Sequence, residues 1–129
     1  MKIKSLFVLG VAASFVVAGQ SAQAAGDAAA GAQLFKTKCF VCHTAEKGGP
    51  AKVGPNLFGV VGSGAGKSAS YTGKYTEDMT KSGLTWDAAT LDKYLEDPKK
   101  MVAKTKMTFP GLKDPKEREN VIAYLETMK

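Results

Sequence analysis

The sequence predicts an all-α chain, built from short helices joined by loops. Three observations carry this. Several segments open with a helix-capping residue and carry apolar residues at helical spacing. Stretches that read as strands are few. Glycine and proline cluster between the helical segments, notably in "VVGSGAGKSAS", and mark turns there.

The N-terminus is the first element to justify. Residues 1–24 begin Met1-Lys2-Ile3-Lys4, run uncharged from Leu6 to Ala18, and end at Ala22-Gln23-Ala24. A basic start, a short apolar run and small residues in an A-x-A pattern predict a cleavable export signal, and the run is short for a membrane span. A mature domain of 25–129 is expected, with a periplasmic location and no stable membrane insertion. Loss of Lys2 and Lys4 lowers the formal charge from +6 to +4. One domain of 105 residues buries a modest core, and a large apolar cofactor would add to it.

In "GDAAAGAQLFKTKC" Asp27 is the expected cap of an alanine-rich helix. "YTEDMTKSG" reads as a short helix before a glycine. "TWDAATLDKYLED" is expected to start at Thr85, to place Leu91, Tyr94 and Leu95 on one face, and to stop before Pro98. Asp97 and Pro98 then read as a cap and first position ahead of Met101. The last helix has Asp114 as cap, Pro115 at its first position and Glu117 three residues after the cap, with Val121, Ile122, Tyr124 and Leu125 on its apolar side. No internal repeat or linker divides 25–129. "GSGAGKS" is superficially like a phosphate-binding loop, but it lacks a preceding strand and has the wrong glycine spacing.

The chemistry concentrates in "KTKCFVCHTAEKGG", which holds both cysteines, Cys39 and Cys42, and the single histidine, His43. A C-x-x-C pair can serve a redox dithiol, half of a zinc site or, when His follows at once, covalent haem. A closed zinc site needs four ligands and the chain offers three. A dithiol protein of the thioredoxin type needs a sheet. Haem fits: each thiol adds to one porphyrin vinyl group, the gap spans about one helical turn, and His43 falls under the ring. One haem c on two thioethers is the expected cofactor.

His43 fills one axial position. Met79, Met101, Met107 and Met128 compete for the other with lysine, water or an open site. Met107 stands out because "AKTKMTFPGL" is an extended loop far along the chain from His43, able to present a thioether.

"CFVCH", "GPNLFGVVG", "LTWDAATLDKYLEDPKKM" and "KTKMTFPGLKDPKERENVIAYL" together resemble class I c-type cytochromes, and more narrowly the soluble bacterial carriers closely related to mitochondrial cytochrome c. The resemblance spans Gly26 to Leu125. It implies the cytochrome c fold, several helices wrapped on one haem with crossing terminal helices, which meet at Gly31 and Phe35. It implies Met107 as the sixth ligand, and the Pro55 carbonyl as acceptor of the outer N–H of the His43 ring. It further implies Tyr71, Trp86 and Thr105 as propionate contacts and Tyr94 near the methionine sulfur. Two departures stand out. Ser63 occupies the place of an arginine usual in mitochondrial forms, and the segment from Gly62 to Gly83 is a few residues longer.

Two protein ligands leave no iron site for a substrate, so the expected function is one-electron transfer rather than catalysis. Partners would be acidic docking faces of membrane-bound respiratory or photosynthetic donor and acceptor complexes. Lys38, Lys99, Lys100, Lys104, Lys106, Lys113 and Lys116 flank the haem-binding stretch and the methionine loop, and would steer such partners. Nucleic acid is not expected, since the basic residues lack an organising motif. A monomer is expected.

Overall fold

The computed structural model describes residues 26–129. The expected export signal lies outside them. The described elements are helical throughout: α1 (Ala28–Lys38), a 3-10 turn (Ala69–Tyr71), α2 (Glu77–Thr80), α3 (Ala88–Glu96), α4 (Pro98–Met101) and α5 (Pro115–Thr127).

The first and last helices begin where their caps dictate. Asp27 Oδ1 accepts from the N–H groups of Ala29 and Ala30 at 2.8 and 3.2 Å, and Asp114 Oδ1 accepts from Lys116 N–H at 2.8 Å. Each carboxylate satisfies donors that the first helical turn cannot pair internally. α1 and α5 then cross. At the crossing a Cβ on Gly31 would lie 1.8 Å from the Asn120 carbonyl oxygen, so only glycine permits this approach. Beside it the Phe35 and Tyr124 rings sit 5.4 Å apart, tilted by 52°.

α3 departs from the sequence expectation. It starts at Ala88 with Asp87 as cap, the carboxylate accepting from Thr90 N–H at 2.7 Å, and not at Thr85. Thr85 and Trp86 are held elsewhere. Thr85 forms an isolated antiparallel bridge with Gly64. Gly62 N–H donates to the Trp86 carbonyl, and Trp86 N–H donates to the Ser63 carbonyl, both at 2.8 Å. Backbone pairing with a distant loop takes the N–H and C=O groups that a longer helix would need.

α3 packs on α5 and on α4. The core runs through Phe35, Leu91, Tyr94, Leu95, Val121, Ile122 and Leu125. Arg118 of α5 is buried as well. Its Nε donates to Asp92 of α3 at 2.7 Å, and one terminal nitrogen donates to the carbonyls of Leu112 and Lys113 at 2.8 and 3.2 Å. One guanidinium therefore joins two helices to the end of the helix-free stretch that carries Met107.

Candidate haem site

After α1 the chain makes one more helical turn. The N–H of His43 donates to the Cys39 carbonyl at 2.9 Å, and that of Cys42 donates to the same oxygen at 3.0 Å. This turn brings Cys39, Cys42 and His43 to one wall of a cavity of about 750 Å³. Pro55 lines the same wall, and its carbonyl lies 2.7 Å from Nδ1 of His43. The bond orients the ring and leaves Nε2 as the nitrogen available to a metal. Burial pushes the His43 pKa below its usual value, and the Pro55 carbonyl partly offsets this. The ring is therefore neutral at pH 7, the form that ligates.

Gly54 forms the backing of the imidazole. A Cβ there would lie 2.3 Å from Cε1 of His43 and under 3.0 Å from both ring nitrogens. The backbone can come this close only because no side chain intervenes.

Met107 lines the same cavity. Its backbone N–H donates to Thr105 Oγ1 at 3.2 Å, and that hydroxyl pairs with the Tyr94 hydroxyl at 2.9 Å. Both Thr105 and Tyr94 line the cavity. Trp86 lines it too, its ring 4.8 Å from that of Tyr94. Tyr71 reaches the cavity, and its hydroxyl donates to the Val53 carbonyl at 2.6 Å. All nine residues singled out from the sequence thus meet at one cavity.

Of the four candidate methionines, Met107 and Met79 line it; Met101 packs against the core, and Met128 lines a separate small pocket at the C-terminus. Met79 belongs to the buried core, whereas Met107 is half-buried in a helix-free loop. Sequence reasoning missed Tyr75, which lines the cavity with its hydroxyl against Ser68. It also missed Thr44 and Asn56, which brace the histidine loop.

The cavity's chemistry bears on the three C-x-x-C readings. Burial, then the neighbouring Cys42, push the Cys39 thiol up to about 11. A redox dithiol needs the opposite shift. Among the described residues no group of three or more His, Cys, Asp or Glu comes together to hold a zinc ion. Two thiols three positions apart, an imidazole with one nitrogen pinned and a thioether, all lining one apolar cavity, do fit a haem.

The sequence profile of the family described as cytochrome c matches residues 28–129. The chain belongs to the cytochrome c family. It is 47% identical over 127 residues to a cytochrome c2 of Rhodomicrobium vannielii, covering 98% of this chain and 97% of the relative. To a cytochrome c2 of Rhodospirillum rubrum it is 48% identical over 136 residues, covering 98% of each chain. A cytochrome c of Kluyveromyces lactis is 50% identical over 95 residues, covering 74% of this chain and 84% of the relative. A class I cytochrome c is an electron carrier with covalent haem c, and Cys39 and Cys42 stand at the spacing that attachment requires. No helix among the described residues is long and apolar enough to cross a membrane.

Proposed function

We propose that the protein carries single electrons between membrane-bound respiratory or photosynthetic complexes, on a haem held axially by His43 and Met107. When bound, haem supplies a reversible one-electron couple. The observation that carries the reading is one cavity lined both by a histidine pinned at 2.7 Å to Pro55 and by a methionine on a loop fixed by Thr105. With His43 and Met107 both holding the iron, no site on it would remain for substrate, and the role would be carriage rather than catalysis. Methionine opposite histidine also favours the reduced state and a raised potential.

The propionate contacts implied by the resemblance, Tyr71, Trp86 and Thr105, line this cavity, and so does Tyr94, the residue placed near the methionine sulfur. Residues 1–24 act as an export signal, leaving 25–129 as a monomeric periplasmic domain. Support comes from the cytochrome c2 of Rhodomicrobium vannielii, whose match covers 98% of this chain and so runs into the leader.

Partner docking is electrostatic. Lys38 and Lys106 line the cavity rim, and the other lysines of the proposed ring are exposed. They draw acidic faces of donor and acceptor complexes towards this rim, at rates that fall with salt.

The test is the thioether-to-iron charge-transfer band of the oxidised protein. Met107→Ala is expected to abolish it, while Met79→Leu keeps it. A band that survives Met107→Ala would remove Met107 from the iron.

A further inference from the structure

Residues 42–44 and 54–57 run side by side, joined by successive hydrogen bonds. Gly54 N–H donates to the Cys42 carbonyl at 2.8 Å, and the Pro55 carbonyl meets His43 Nδ1 at 2.7 Å. Asn56 Nδ2 then donates to Thr44 Oγ1 at 2.7 Å, and Leu57 N–H donates to the Thr44 carbonyl at 2.7 Å. The Thr44–Asn56 link is the one made between two side chains, and it is saturated. Thr44 is 2% exposed, and its hydroxyl donates to the Pro50 carbonyl at 2.7 Å. The Asn56 carboxamide also donates to the Glu46 carbonyl at 2.9 Å and accepts from Phe58 N–H at 3.0 Å.

We infer that Thr44 and Asn56 are a positioning pair that fixes the Pro55 carbonyl on His43 and so tunes the electron donation of the imidazole. The inference rests on the reading of His43 as an axial ligand. The reasoning is geometric. The proline ring locks φ of Pro55, so the direction of its carbonyl depends on ψ alone. That angle is set by where residue 56 is anchored: its N–H donates to Ser70 Oγ at 3.1 Å, and its carboxamide is held on Thr44, the neighbour of His43. A fully satisfied buried network is stiff, whereas losing one member frees the rest. A firm bond from Nδ1–H to a carbonyl makes the ring a stronger donor and stabilises oxidised iron. Loosening the pair therefore raises the reduction potential.

The haem-loaded protein carrying Thr44→Val loses the hydroxyl at nearly constant shape, and Thr44→Ser keeps it. Two quantities are read: the midpoint potential by redox titration, and hydrogen exchange of the His43 ring N–H by NMR. Thr44→Val is expected to raise the ratio of reduced to oxidised iron at the wild-type midpoint by about threefold or more, and to speed exchange of the ring N–H. Thr44→Ser is expected to match the wild type in both. A Thr44→Val protein that is merely less stable, with wild-type potential and exchange, overturns the inference. If Thr44→Val yields no holoprotein, Asn56→Ala removes the amide donor without adding a charge; unchanged potential and exchange there overturn it equally. Failure of the ligand reading looks different: the wild-type His43 ring would then show no hyperfine shift on oxidation.

Discussion

Replacing Gly54 with alanine tests the seat of the histidine directly. The new Cβ would start 2.3 Å from Cε1, 2.8 Å from Nδ1 and 2.9 Å from Nε2 of His43. Carbon atoms rest at about 3.5 Å or more, so the ring and the loop must part by roughly 1 Å. Gly54 and Pro55 belong to the same stretch, so this movement also opens the 2.7 Å contact between Nδ1 and the Pro55 carbonyl. At roughly 3.7 Å that contact is no longer a hydrogen bond. Overpacking contributes about 1–3 kcal/mol and the lost bond about 1 kcal/mol, together about 2–4 kcal/mol. For a domain of this size the melting temperature should fall by about 10–25 °C. Gly54 is not among the glycines with positive φ, so alanine meets no backbone penalty and the effect is steric. Thermal unfolding of the holoprotein, followed by far-ultraviolet circular dichroism, measures the shift. A variant melting within about 2 °C of wild type would show that the ring does not rest on Gly54.

Three further outcomes are expected. Gly31→Ala should force α1 off α5, because its Cβ would sit 1.8 Å from the Asn120 oxygen; a thermal midpoint lower by more than about 5 °C is the check. Asp92→Asn leaves the buried Arg118 without its counter-ion and should cost about 2–3 kcal/mol in denaturant unfolding, below the full cost of breaking a buried pair because Asp92 is 39% exposed along its side chain. Hydrogen bonds from Thr90 hold the Asp87 carboxyl below its ordinary value of 3.8. A depressed carboxylate pKa stabilises above the unfolded value and loses that stabilisation as pH falls through the folded one. Wild type should thus lose more stability between pH 5 and pH 3 than Asp87→Ser, whose cap does not titrate; equal losses in acid melts would refute this.

The elements that could be read from the sequence were those with local causes. Asp27 and Asp114 cap their own helices within three residues, and Cys39, Cys42 and His43 announce their chemistry by spacing alone. What the sequence hid depends on distant partners. Thr85 reads as a helix start until Gly64 pairs with it. Arg118 looks like one more cation on a polar helix face, and only the fold brings Asp92 and two carbonyls to it. Met79 reads as core filler, and is; that it also borders the cavity follows from a 28-residue separation from Met107 closing in space. Thr44 and Asn56 carry no motif, since their role exists only when residues 42–44 meet 54–57.

The backbone pairing that shortens α3 has an evolutionary consequence. Hydrogen bonds from Gly62, Ala65 and Trp86 close a neck around residues 66–83. The chain enters and leaves this segment at nearly one point, whatever lies between. Lengthening such a closed excursion is inexpensive, since each doubling of a flexible loop adds only about 0.6 kcal/mol of closure entropy. Thr72 and Gly73, exposed within it, are therefore where added residues cost the fold least. Such changes still reach the redox centre, because Tyr71, Tyr75 and Met79 of the same segment line the cavity and a longer excursion would shift them.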